Sequence, residues 1–218
     1  MNVLVIAPHP DDEAIGCGGT ICLHSARGDH VTAVFLTSGE QGLKHLACEK
    51  AWRVREAEAR QSAAILGIVD LEFLRLADWS SREQIRSAAP RLRAVLNREM
   101  PELIYLPHPG EWHPDHQAAL ACLRAALRGW RGPEPALRGY EVWTPLGHYD
   151  EVEDISKVML RKLRALRAHR SQLRGWDYAR AITGLNQYRG VMAAKCRYAE
   201  VFQTLHLAAV YGKAKSSP

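Results

Sequence analysis

Within five positions the chain places one histidine and three acids, His9, Asp11, Asp12 and Glu13, inside the stretch LVIAPHPDDEAIGCGGTI (4–21). Imidazole and carboxylate groups this close can ligate a divalent metal, or pass protons as base and acid. A run of like charge is more often a solvated turn, and Pro8 and Pro10 punctuate one here. A second cluster weakens that bland account. HPGEWHPDH (108–116) lies more than ninety residues further on, and, like the first, it directly follows an apolar run. In open α/β sheets ligands bind beyond the carboxyl ends of the strands, so both clusters should open onto one edge. Together they offer the imidazole and carboxylate ligands of a catalytic zinc site, which takes three protein ligands and keeps a fourth position for water.

The elements that must hold these clusters alternate along the chain. NVLVIAP reads as a first strand and 13–27 as a helix whose start is blurred by glycines. HVTAVFLTSG is a second strand, and 47–66 a helix rich in Ala, Glu and Arg, stopped by Gly67. VDLEFLRL is a third strand, followed by a helix kinked or started afresh at Pro90. ELIYLPH is a fourth strand, and DHQAALACLRAAL a helix ending at Gly129. Residues 129–139 form a Gly/Pro-rich surface loop, YEVWTP a fifth strand, 154–173 a basic helix, and the rest to about 207 is mostly helical. Repeated β then α predicts a Rossmann-like α/β fold: three layers, a mostly parallel sheet and a helical C-terminal part. One domain over 1–211 with a frayed tail at 212–218 is expected.

Composition narrows the class. The 218 residues are 47% hydrophobic and 24% charged, ordinary for a globular protein. A strand starting at residue 2 or 3 leaves no room for a signal segment, and no run reaches the ~20 apolar residues of a membrane span. A cytoplasmic setting is expected, with peripheral membrane contact still open. Five cysteines without a C-x-x-C pair speak against a disulfide framework or a cysteine-rich zinc site. The formal charge of +5 owes much to arginines between 161 and 197. They suit either phosphate, an anionic glycan or a lipid-linked substrate, or plain surface solubility. No fingerprint of a nucleic-acid module is present.

APHPDDE with HPDH downstream resembles the LmbE-like N-acetylglucosaminyl deacetylases, also called the PIG-L family of zinc-dependent de-N-acetylases. GCGGTI, REAEARQSAAILGI, DIS, KLRALRAHRSQ and RYAEVF resemble stretches of that family in the same order, over roughly residues 3–204. The resemblance implies one zinc ion per chain held by His9, Asp12 and His116. It makes Asp11 the general base, and His113, oriented by Asp115, the group that faces the oxyanion or protonates the leaving amine. It implies hydrolysis of an N-acetyl group on a small sugar or glycoconjugate, with a homo-oligomer possible. Zinc lowers the pKa of a bound water toward ~7, and a nearby carboxylate can complete the deprotonation. One departure stands out. Some members carry a tyrosine two positions before the second motif's histidine, where this chain has Glu111, so a second oxyanion donor is unassigned.

Other residues carry weaker readings. Arg55 either holds Glu58 or a substrate oxygen, or forms a surface i,i+3 pair. Trp112 and Trp79 are a sugar-stacking wall or core packing, and His148 is a candidate substrate contact on a loop after the fifth strand. Glu13 orients the turn, and Gly16, Gly18 and Gly19 serve close approach to the site or helix–sheet packing. His24, His30 and His45 read as surface or capping residues, His108 as a turn residue, and His169 and Ser171 as supports. Loops 37–50, 77–82, 108–114 and 129–152 should shape the pocket. Two alternatives remain: an amidase on another N-acyl conjugate, such as a glycopeptide or thiol-sugar, and a non-catalytic sugar- or nucleotide-binding module. A receiver-type phosphorelay domain also follows its first strand with acids, but gives His9 and HPDH no role.

Overall fold

The computed structural model describes residues 1–79 and 82–206. In chain order these form β1 (Asn2–Ala7), α1 (Asp12–Ala26), β2 (His30–Thr37), α2 (Cys48–Leu66), β3 (Asp70–Leu76), α3 (Arg82–Glu99), β4 (Leu103–Pro107), α4 (Pro114–Leu127) and β5 (Ala136–Tyr140). Then follow β6 (Glu151–Asp154), α5 (Met159–Leu166), α6 (Tyr178–Arg189) and β7 (Ala199–Leu205). The sheet order is β3-β2-β1-β4-β5-β7-β6. β1 to β5 run parallel, with Val3 opposite both Val31 and Leu103. β7 is antiparallel to both β5 and β6.

Strand alternation builds the two cores. Val3, Val5 and Ala7 point to one face, where Ile15, Ile21, Leu66, Met159, Leu163 and Ile182 cover them from α1, α2, α5 and α6. Leu4 and Ile6 point to the other, against Leu92 and Leu96 of α3 and Ala119 and Leu123 of α4. The expected three-layer α/β fold is therefore present. Among the described residues, no helix is long and apolar enough to cross a membrane.

Three details differ from the sequence reading, and a fourth decides between its alternatives. The C-terminal part is not mostly helical: β6 and β7 extend the sheet, and α5 is shorter than the expected basic helix. The fifth strand lies at Ala136–Tyr140, all but its last residue inside the expected loop, and it stops there because the amides of 142–144 turn from the ladder to the Glu111 carboxylate. α3 runs unbroken through Pro90 and does not start afresh there; Pro90 and Arg86, the residue whose carbonyl its missing N–H would have met, both lie on the exposed face. Gly16 and Gly19 serve packing: a Cβ at Gly16 would stand 2.1 Å from the Tyr140 ring, and one at Gly19 2.6 Å from Ile155. The expected tail at 212–218 lies outside the described residues, as does the expected domain end.

The order also locates the ligand crevice. The strand sequence reverses between β1 and β4, so the connections leaving those two strands diverge above a gap at the sheet's carboxyl edge. His9–Asp12 and 108–116 are those connections.

Candidate metal centre

Between β1 and α1 the chain makes a strained turn. Asp11 has φ 127°, a backbone region that side-chain-bearing residues rarely adopt. Its amide donates to Glu13 Oε2 (3.0 Å), and its carbonyl accepts from Ala14 (3.0 Å) and Ile15 (2.9 Å). Glu13 is wholly buried; its other oxygen accepts from Ser62 Oγ at 3.1 Å and lies 3.4 Å from His169 Nε2. Glu13 thus fixes the turn, with Ser62 and His169 behind it. On the other side, His113 caps α4, its Nδ1 accepting the Asp115 amide at 3.2 Å, and Pro114 opens the helix. The first turn of α4 then presents Asp115 and His116.

The two segments bring His9, Asp12 and His116 together, with one ligand atom from each within 4.8 Å of the others. Asp12 Oδ2 lies 3.2 Å from His9 Nδ1 and 3.4 Å from His116 Nε2. Each histidine turns its other nitrogen to a carboxylate: His9 Nε2 to Asp115 Oδ2 (3.2 Å) and His116 Nδ1 to Glu111 Oε2 (3.2 Å). Metal-ligating histidines are held in this way. Among the described residues His116 Nε2 is buried without a hydrogen-bond partner, a cost that a metal ion would remove. His9, His113 and Asp115 also lie within reach of one ion, but that set would leave His116 Nε2 orphaned.

The electrostatics favour positive charge at this point. Burial alone would raise the Asp12 pKa, but His116 and His9 outweigh it and hold the carboxyl well below the usual range. Burial opposes charge on His9, yet Asp115 and Asp12 push its pKa up to about 10; Asp12 and Glu111 likewise push His116 to about 9. In the ion-free protein these histidines carry protons that a divalent cation would displace. Burial raises Asp11 to about 6, with Arg55 opposing and Asp12 adding to the rise. His113 is lowered by burial and by the neighbouring His9 and His116.

Above the cluster lies a cavity of about 320 Å³. His9, Asp11, Asp12, His113 and Asp115 form its floor, and Trp79, Trp112, Trp143 and Tyr178 its walls. Trp79 stacks on His113 at 4.8 Å between ring centres and Trp112 tilts against it at 5.4 Å. Both indoles remain more than half exposed, so they wall the cavity and do not pack the core. All four loops expected to shape the pocket contribute to it.

Several candidates sit elsewhere than expected. Arg55 and Glu58 are buried and do not form a surface pair: Arg55 donates to Pro10 O (2.5 Å) and Gly39 O (3.4 Å) and lies 3.4 Å from Asp11, while Glu58 accepts from Ser171. Arg55 still lines the cavity. His148 does not; it is exposed and lies 3.6 Å from Asp150. His24 is no surface residue: it is buried between Asp29 (2.7 Å) and the Tyr105 hydroxyl (3.0 Å). His108, also buried, faces the Thr144 carbonyl at 2.8 Å. No arginine between 161 and 197 lines the cavity, and Arg161 and Arg189 are tied to Ile65 O and Glu141. The sequence reading did not name Asp78, Gln172 or Tyr178 among the lining residues. Asp78 was findable, since it follows β3 at the same sheet edge, whereas Gln172 and Tyr178 arrive from a distant segment with no motif.

Together the fold and the centre define an α/β protein with a candidate metal centre at the switch point of its parallel sheet. The chain belongs to the PIG-L family: the family profile described as GlcNAc-PI de-N-acetylase matches residues 4–127. Diacetylchitobiose deacetylase of Thermococcus kodakarensis is 35% identical over an alignment covering 91% of this chain and 81% of that protein. A Bacillus cereus protein designated "Probable N-acetyl-alpha-D-glucosaminyl L-malate deacetylase 2" is 34% identical, covering 78% of this chain and 83% of its own. Among solved structures, N,N'-diacetylchitobiose deacetylase from Pyrococcus horikoshii superposes with a TM-score of 0.82 at 26% identity, covering 99% of this chain and 87% of that one.

Proposed function

We propose that this N-deacetylase hydrolyses the acetamide of a small N-acetylated amino-sugar conjugate, using one zinc ion held by His9, Asp12 and His116. The observation that carries the metal reading is the buried, unpartnered His116 Nε2 facing Asp12, with the outer nitrogens of both histidines on carboxylates. Two nitrogens and one carboxylate oxygen suit zinc. Charge supports it too: once an ion displaces the His9 proton, the four aspartates lining the cavity exceed Lys44 and Arg55 by two negative charges, which a divalent cation cancels. When bound, the ion supplies Lewis acidity that polarises the acetamide carbonyl and acidifies water.

The chain's own residues do the rest. Asp11, on the cavity floor beside Asp12, takes the proton of the attacking water. Arg55 keeps that carboxylate in place. His113, whose Nδ1 accepts the Asp115 amide, turns its Nε2–H to the reacting carbonyl oxygen from the opposite segment, and the proton taken by Asp11 passes on to the departing amine, so that acetate and a free amine leave. Trp79 and Trp112 present flat apolar faces beside His113, fitting the C–H face of a pyranose ring. The free thiols, three of them buried, are in keeping with a cytoplasmic setting.

Metal analysis combined with amine release from a panel of N-acetyl and longer N-acyl sugars tests the reading. About one zinc per chain and amine release from an N-acetyl sugar are expected. A metal-free protein inactive on the whole panel, with zinc added, would refute it.

A further inference from the structure

Glu111 lies wholly inside the protein, two positions before His113. Its Oε1 accepts the backbone amides of Val142 (2.8 Å), Trp143 (3.0 Å) and Thr144 (3.1 Å). Its Oε2 faces His116 Nδ1 at 3.2 Å and the Trp143 amide at 3.3 Å. Three successive amides aimed at one carboxylate form an anion nest, a concavity that demands an acceptor. Both oxygens are therefore committed within the protein, and neither is free to meet a substrate.

The consequence falls on His116. A neutral imidazole has one N–H and one lone pair, and an ionised carboxylate can only accept. With Glu111 opposite Nδ1, the proton belongs on Nδ1 and the lone pair on Nε2, the buried atom that faces Asp12. The amides that hold Glu111 also belong to the segment carrying Trp143, a wall of the cavity. One carboxylate thereby links a metal ligand to the loop beside the substrate.

We propose that Glu111 is a positioning residue for the metal: it sets the tautomer and ring orientation of His116, and anchors the Trp143 wall to the same point. The inference rests on the metal reading above.

Glu111→Gln tests it. The three backbone amides need an oxygen, so the glutamine must turn its NH₂ toward His116 Nδ1. That donor drives the imidazole proton to Nε2, where it blocks the metal. Zinc affinity of the full chain, measured by competition with a chromogenic chelator, should fall about 10- to 100-fold, the usual effect of removing such an outer partner. The melting temperature of the metal-free protein, a readout that a merely structural role would move first, should shift far less. Wild-type zinc affinity in Glu111→Gln overturns the inference. Should that variant fail to fold, Glu111→Asp keeps a charge for the amides while shortening the reach to His116; it should show the same loss, and wild-type affinity there overturns the inference equally. His116→Ala separates the two levels. Zinc retained in His116→Ala sinks the metal reading itself, whereas zinc lost there but kept in Glu111→Gln sinks only the role of Glu111.

Discussion

Replacing Asp11 by asparagine removes the proposed base while leaving its surroundings intact. The backbone at φ 127° is held by the Asp11 amide on Glu13 and by the Ala14 and Ile15 amides on its carbonyl, none of which involve the side chain. Asparagine is among the few residues that tolerate positive φ. Arg55 loses a neighbour at 3.4 Å but keeps the Pro10 and Gly39 carbonyls, and Asp12 is relieved of a like charge. Burial already works against the ionised form of Asp11 and an asparagine oxygen still faces Arg55, so the folded state should change by no more than about 1 kcal/mol. Turnover should fall by roughly 10²–10⁴-fold, the contribution of a positioned base. At 1.36 kcal/mol per tenfold, that is about 3–5 kcal/mol of barrier. Asp11→Ala makes the informative partner, since it loses the same base and adds backbone strain of roughly 1–3 kcal/mol. Both variants should lose turnover alike, but only alanine should lower the melting temperature appreciably. The assay is amine release under saturating substrate, with zinc content and thermal melts on the same samples. Asp11→Asn active within tenfold of wild type would refute the base assignment, and loss of zinc from it would mean that Asp11 supports the ligands instead.

Dialysis against a strong chelator should abolish turnover and zinc should restore it, while far-UV circular dichroism stays unchanged because the apolar cores lie away from the centre. Lys162→Met should destabilise the fold by about 3–5 kcal/mol in denaturant titration, since it strands the buried Glu200 charge and leaves Ile15 O and Asn186 without their donor; a change below 1 kcal/mol, the scale of an exposed pair, would contradict this. Trp112→Ala should raise KM roughly tenfold, about 1.4 kcal/mol, with kcat nearly unchanged, the pattern of lost uniform binding; an equal fall in kcat would place Trp112 in the chemical step. KM for an uncharged N-acetyl sugar should stay flat between about 0.1 and 1 M salt, although the Debye length shrinks from ~10 to ~3 Å, because such a substrate offers no charge to screen.

Periodicity showed the first four parallel strands well, because a strand buried on both faces reads as an unbroken apolar run, as VLVIA and ELIYLP do, but it set the fifth several residues too late. The antiparallel strands escaped it. β6, EVED, has no apolar face, and β7 ends in the half-exposed Gln203–Leu205, so both owe their state to pairing rather than propensity. The centre was legible in part because its residues sit in two dense motifs. Their supports were less so. A buried Arg55 or His24 cannot be told from a surface one when its partners, Pro10 and Gly39 or Asp29 and Tyr105, are known only after folding. Asp115 shows the same limit at finer scale: HPDH suggests that it orients His113, yet its carboxylate takes the Trp79 amide at 2.8 Å and faces His9 Nε2.

Several irregular stretches of backbone meet at one sheet edge. Asp11 adopts φ 127° where β1 gives way to α1, and Trp79 adopts φ 64° beyond β3 while its amide holds Asp115. β5 ends at Tyr140 although strand-forming residues continue, because the next amides turn to Glu111. Each departure gives up a regular conformation or a ladder hydrogen bond, and each delivers an amide or a side chain to the two carboxylates behind His9 and His116 or to the cavity itself. Local rules broken together at a single place mark a functional site more firmly than any one outlier. At the opposite edge His30 and Val31 pair in register with Asn2 and Val3, and Glu102 meets the Asn2 amide across the strand ends, with Met100 (φ 44°) as a left-handed turn before β4. What sets the carboxyl edge apart is that its departures converge where β1 and β4 part, which is where the topology opens a crevice and the candidate metal ligands meet.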